Sequence, residues 1–155
     1  MNSQENILIR RNENGKDRVK LVDGVMIIAF SQICSKYILV QNNRTSRMKN
    51  GSLEFPGGKI EKNETARKAA HRELIEETGY NGKLKFLQYI YSAPAVLNSR
   101  LNVFITQDIY KVQPAEDPKK IVMLSYQELC KYPFEDAAAL ACVKILKDYL
   151  EEIFE

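Results

Sequence analysis

GGKIEKNETARKAAHRELIEETGY, Gly57 through Tyr80, is the segment from which the remainder of this chain takes its meaning. A glycine pair precedes a short polar connector, a helix-like run follows, and another glycine closes it. Asn63 is expected to cap the helix, because its side-chain oxygen can accept from the first free amides. Ala66, Ala69, Ala70 and Leu74 are good helix formers, and Gly79 stands where a left-handed residue would end the helix. At about 100° per residue, Glu73, Glu76 and Glu77 share one side of that helix with the three alanines. Like charges at this spacing repel, and partial burial raises the cost. A solvated acidic face would account for the glutamates taken alone. A hard divalent cation would remove both penalties, since magnesium takes oxygen ligands and keeps waters for a phosphate substrate. His71, the only histidine, points away from the glutamates by roughly 160° and is expected to be a solvated or packing residue.

The 155 residues suit one domain spanning 1–155, large enough for a core without staples. Apolar content of 45% and charged content of 28% exclude a disordered chain. A formal charge of +3 is too small and too scattered to argue for nucleic-acid binding. Cys34, Cys130 and Cys142 are odd in number and far apart, which supports neither a disulfide framework nor a zinc site. Cys34 and Cys142 lie in apolar surroundings and are expected to be core thiols. The opening MNSQENILIRR lacks the apolar run of a secretion signal, and no later apolar stretch reaches membrane-spanning length. A cytoplasmic location and no membrane partner are the expectation.

Apolar runs bounded by turn residues predict strands near Ile7–Arg10, Arg18–Val22, Val25–Phe30, Tyr37–Asn43, Lys83–Ala93, Arg100–Ile109 and Ile121–Ser125. Leu53–Pro56 reads as a short extended entry to the glycine pair. A turn of helix is expected at YQELCKY, then a final helix over about Phe134–Ile153 with an inward stripe of Ala137, Leu140, Ala141, Ile145 and Tyr149. Strands interrupted by one helix and closed by another predict an α+β fold, an α/β/α sandwich with a mixed sheet between helices. Edge strands near the N-terminus or at Arg100–Ile109 would be the route to a homodimer.

Gly58, Glu64, Arg72, Glu73, Leu74, Glu76, Glu77, Gly79 and Tyr80 match, without a gap, the pattern G-x5-E-x7-R-E-U-x-E-E-x-G-U. The chain thereby resembles the Nudix hydrolases, with Tyr80 an aromatic where that family usually carries an aliphatic residue. The resemblance implies hydrolysis of a nucleoside diphosphate linked to another moiety, by attack of metal-activated water on phosphorus. It implies Mg2+, with Mn2+ as the other metal used, held by Glu73, Glu76, Glu77 and the carbonyl of Gly57. Arg72 would pair with Glu64 and orient the neighbouring carboxylates, a task suited to a rigid guanidinium fork. The group that deprotonates water differs among members, and Glu116 in a later loop is a candidate, with Asp117 beside it.

LVQNNR, LEFPGGKIE, Pro94 and PFEDAAALACVKIL resemble the ADP-ribose pyrophosphatase branch in particular, so ADP-ribose or a nucleotide sugar is the implied substrate. The loop after Pro94 departs from that branch, reading AVLNSR without its usual glycine and acidic residues. EFPGGKIE is equally similar to members acting on nucleoside triphosphates or on the 5′ end of RNA, the one route by which nucleic acid would enter. A non-catalytic nucleotide sensor is the contrasting class, disfavoured because every motif carboxylate is present. Arg44 and Arg47 are candidate phosphate contacts, Tyr91 a candidate base-stacking residue beside Tyr89, and Pro94 a candidate substrate-loop residue.

Overall fold

The computed structural model describes residues 8–11, 17–20, 22–43, 47–49, 51–91 and 99–155, with side chains described from residue 22 onward. In chain order the strands are β1 (Leu8–Arg11), β2 (Asp17–Lys20), β3 (Gly24–Ser31), β4 (Lys36–Asn42), β5 (Ser52–Glu54) and β6 (Gly57–Lys59). Helix α1 (Ala66–Thr78) follows, then β7 (Tyr80–Gly82), β8 (Lys85–Tyr91), β9 (Arg100–Thr106) and β10 (Ile109–Lys111). A 3₁₀ turn at Pro118–Lys120 leads into β11 (Ile121–Leu124), α2 (Tyr126–Lys131) and α3 (Ala137–Phe154).

The main sheet runs β11-β4-β3-β9-β8, with β5 paired to β4 and β6 paired to β3. Only the β3–β9 pairing is parallel among its ladders, so the sheet is mixed. Val25–Ala29 are all buried, as a central strand covered on both faces requires. Odd-numbered residues of β3 turn one way: Val25, Ile27 and Ala29 pack with Ala69, Ala70 and Leu74 of α1. Even-numbered Met26 and Ile28 turn the other way, onto Leu129 of α2 and Ala139, Cys142 and Leu146 of α3. Two-residue alternation along one strand thus fixes helices on both faces, the expected α/β/α sandwich. Among the described residues, no helix is long and apolar enough to cross a membrane.

Several local expectations are corrected. Thr65, not Asn63, caps α1, its side chain accepting from the Lys68 amide at 3.2 Å, while Asn63, just before it in the connector, takes a left-handed φ of 63°. Either residue type can cap or turn, and here the asparagine is spent on the turn because it tolerates positive φ better than threonine does. The stretch from Arg100 to Ile109 is not one strand: Thr106 Oγ1 donates to the Asp108 carbonyl at 3.2 Å, the chain turns, and β10 pairs separately with β7. Nor is β9 an edge, for it lies between β3 and β8.

In α3 the inward stripe is Ala139, Cys142, Ile145 and Leu146, with Tyr149 partly covered, while Leu140 is 51% exposed and Ala137 is exposed. Asp136 caps the helix by accepting from the Ala139 amide, which starts the turn there; apolar residues on nearly every side of the AAALACVKIL run leave its phase unspecified in sequence. Cys142 is buried as expected, but Cys34 is exposed, in the turn joining β3 to β4.

Candidate active site

Helix α1 is held at its far end by Gly79, whose φ of 74° lets the chain leave in the left-handed conformation. The Gly79 amide donates to the Ile75 carbonyl at 2.8 Å, and its own carbonyl accepts from the Val112 amide at 2.9 Å. A side chain there would overlap the Gln113 carbonyl. Further along, the Glu116 amide donates to the Glu76 carbonyl at 3.2 Å. The loop carrying Glu116 is therefore fastened by backbone to the last turn of α1. Sequence distance between Glu76 and Glu116 hides this neighbourhood.

Arg72 organises the other half of the glutamate row. Its Nε and Nη2 donate to the two Glu64 oxygens at 2.8 and 3.0 Å, Nη1 donates to Glu73 Oε1 at 2.7 Å, and Nη2 also reaches the Lys59 carbonyl at 3.0 Å. Glu76 Oε2 lies 3.4 Å from Nη1. A fork of five donors is nearly saturated by this set, a geometry lysine cannot reproduce. The Arg72 hydrogen bonds, with the Glu61 amide assisting, hold the Glu64 carboxyl down at about 2. The same Glu64 pairing pushes the Arg72 guanidinium higher still. Gly58 completes the arrangement, because a side chain at that position would overlap the Glu73 carboxylate.

Glu77 lives under different conditions. Its Oε1 accepts from the Gly57 amide at 2.9 Å. Burial is the larger influence, and with Glu73, Glu54 and Glu116 nearby it pushes the carboxyl up to about 7 despite that hydrogen bond. Glu54, Glu77 and Glu116 line a cavity of about 370 Å³ together with Gln41, Asn42, Asn43, Asp117 and Lys120. Glu54 went unrecognised from sequence. The available signal was a lone charge in the otherwise buried run Ser52–Pro56, and Asn42 Nδ2 now fixes it by donating to Oε1 at 3.0 Å.

The remaining candidates fall at varied distances from this cavity. Arg47 lies in a neighbouring cavity of about 600 Å³ that shares Asn42 and Glu54 with the first, and its amide donates to Glu135 Oε2 at 3.2 Å. Tyr91 does not line the cavity; it is 57% exposed at the end of the edge strand β8, opposite Arg100 and 6.2 Å from the Tyr89 ring centre. Arg44 and Pro94 lie outside the described residues. His71 is turned from the glutamates, its Nδ1 2.7 Å from Asn81 Oδ1.

The donor chemistry of this site fits a hard divalent cation: Glu73, Glu76 and Glu77 supply carboxylate oxygens, and the buried Glu77 resists ionising where no positive charge is near. Among the described residues, no three such side chains are gathered about one point, for Arg72 draws Glu73 and Glu76 while the Gly57 amide holds Glu77.

The sandwich, the glycine-flanked helix and the glutamate row together define a Nudix fold. The chain belongs to the Nudix family: the NUDIX domain model matches residues 20–143. It is a Nudix-type hydrolase of a nucleotide-derived substrate, in a family that typically uses a divalent metal. It is similar to the ADP-ribose pyrophosphatase of Methanocaldococcus jannaschii, at 26% identity over 92% of this chain and 82% of that protein. A second ADP-ribose pyrophosphatase, from Bacillus subtilis, is 30% identical over 82% of this chain and 69% of its own length. A crystal structure of an ADP compounds hydrolase shares the fold with a TM-score of 0.71 at 23% identity, covering 93% of this chain and 84% of that one.

Proposed function

We propose that this enzyme cleaves the diphosphate of a nucleoside diphosphate linked to a second moiety, with ADP-ribose as the first substrate to try. The observation that carries this reading is the cavity beside α1 that Glu54, Glu77 and Glu116 line together with the amide side chains of Gln41, Asn42 and Asn43. Resemblance to the two ADP-ribose pyrophosphatases supports the choice of substrate. Magnesium or manganese, held by Glu73, Glu76, Glu77 and Gly57, would supply neutralisation of phosphate charge and acidification of water when bound.

The protein's own groups divide the remaining work. Arg72 fixes the Glu73 and Glu76 carboxylates, so their orientation is set before substrate arrives. Glu116, presented by its backbone bond to Glu76, accepts the proton of the attacking water. Water oxygen bonds to phosphorus, the bridging P–O bond breaks, and a nucleoside monophosphate and a phosphorylated remainder leave. Arg47 reaches the outer portion of the substrate from the adjoining cavity.

The test is a turnover panel of ADP-ribose, nucleotide sugars, NADH, dinucleoside polyphosphates, dGTP and triphosphorylated RNA, with magnesium, with manganese and with chelator, identifying products. Metal-dependent release of AMP and ribose 5-phosphate from ADP-ribose is the expected result. Turnover confined to nucleoside triphosphates or RNA 5′ ends would replace this reading with a pyrophosphohydrolase, and tight binding without turnover would replace it with a nucleotide sensor.

A further inference from the structure

Lys120 is the only cationic side chain among the described residues lining the cavity of Glu54, Glu77, Glu116 and Asp117. It ends the 3₁₀ turn Pro118–Lys120, and because β11 joins β4 from the Ile121–Val40 pair onward, that turn meets the sheet next to the cavity-lining Val40 and Gln41. Its backbone is anchored on both sides, because the Lys120 amide donates to the Asp117 carbonyl at 3.1 Å and the Ile121 amide returns to the Pro118 carbonyl. Glu116, just before this turn, is tied to Glu76. The backbone from which the Lys120 side chain springs is therefore anchored next to the cavity.

The ammonium itself is weakly committed. Its nearest carboxylate is Asp117 Oδ2 at 4.0 Å, with both side chains about half exposed, a pairing of little energetic weight. Asp117 is already engaged through Oδ1, which accepts from the Lys119 amide at 3.2 Å. A cation on a flexible chain that springs from an anchored backbone beside an acidic cavity, with a poor internal partner, is suited to an anionic ligand that enters.

We infer that Lys120 is a specificity-determining residue whose ammonium binds a phosphoryl oxygen of the substrate diphosphate. The assignment rests on the diphosphate reading of the site. It explains how an acidic cavity admits a dianionic group: one face of the diphosphate meets the glutamate row with its cation, the other meets Lys120. A ligand carrying a single phosphate on the α1 side would not use this contact.

The deciding experiment measures binding of inorganic pyrophosphate with magnesium, by calorimetry, to wild type, Lys120→Ala, Lys120→Arg and Lys119→Ala. Lys120→Ala should bind about tenfold more weakly, as loss of one charge-assisted hydrogen bond predicts. Lys120→Arg should restore most of that loss, and Lys119→Ala, on the same turn but outside the cavity lining, should match wild type. Equal binding by Lys120→Ala, an equal loss in Lys119→Ala, or no pyrophosphate binding by wild type would each overturn the inference. With ADP-ribose as substrate, Lys120→Ala should raise KM by the same factor and leave kcat nearly unchanged. If wild type ignores ADP-ribose while the pyrophosphate series behaves as stated, the substrate choice fails and the role of Lys120 stands.

Discussion

Glu64 and Glu77 are the same side chain placed at either end of one motif, and their surroundings drive them in opposite directions. Glu64 receives two donors from Arg72 and one from the Glu61 amide, and its carboxyl is held at about 2. Glu77 receives one amide, is more deeply buried, faces Glu73, Glu54 and Glu116, and rises to about 7. The lesson is that charge in this motif is of two kinds. Around Arg72 it is compensated within the protein and serves to orient; around Glu77 it is uncompensated and awaits a partner from outside.

The largest test of that contrast removes one carboxylate from each side of it, Glu76 beside Arg72 and Glu77 away from it. Glu76→Gln and Glu77→Gln should each lower kcat by roughly 10²–10³-fold or more, the scale seen when a preorganised electrostatic group at the reacting centre is lost. Steady-state kinetics at saturating magnesium checks this, and near wild-type turnover in both variants would break the distinction. Glu77→Gln should also leave the metal-free Tm unchanged or raised at pH 8, since it relieves a buried carboxylate while keeping an acceptor for Gly57.

Next in size, Gly58→Ala pushes a methyl group into the Glu73 carboxylate. Displacing one donor of the row by about an ångström should cost roughly 10²-fold in kcat/KM, with circular dichroism unchanged. Arg72→Lys acts on the compensated side. It keeps the charge but loses the fork, and a cost of about 10–100-fold in metal affinity or activity is expected, read by metal titration.

The smallest effect is in pH. Because the folded-state carboxyl of Glu77 sits above its unfolded value, the folded protein binds the extra proton between pH 4.5 and about 7. Its contribution to metal-free stability is thus present at the acidic end of that window and fades as pH rises through it. Glu64 is depressed to about 2, so its contribution is complete above pH 4.5 and is lost only as pH falls toward 2. Urea unfolding in chelator at pH 5.5 and 7.5 should therefore show the acidic sample favoured by the Glu77 contribution. Magnesium affinity should fall over the same descent in pH, since the metal must displace that proton.

The motif made α1 and its Gly79 terminus legible because each depends on neighbours within a few helical turns, while the Arg72–Glu64 pair came from the resemblance to the Nudix hydrolases. The continuous apolar run Val25–Phe30 likewise announced a central strand. What escaped depended on distant segments. Glu54 became notable only when β5 paired with β4 and brought Asn42 to it; the phase of α3 was set by the sheet that it covers, since apolar residues surround that helix. The break between β9 and β10 follows from Gly82, where a side chain would overlap Thr106 Oγ1, so that a glycine across the turn permits a bend the apolar pattern does not record.

The bond from the Glu116 amide to the Glu76 carbonyl makes one exchangeable proton a reporter for the whole site. That proton belongs to the loop, and its acceptor belongs to α1. Its hydrogen-exchange rate therefore counts how often the loop detaches from the helix, and slowing of that rate by a ligand would time closure of the enzyme without observing a single turnover.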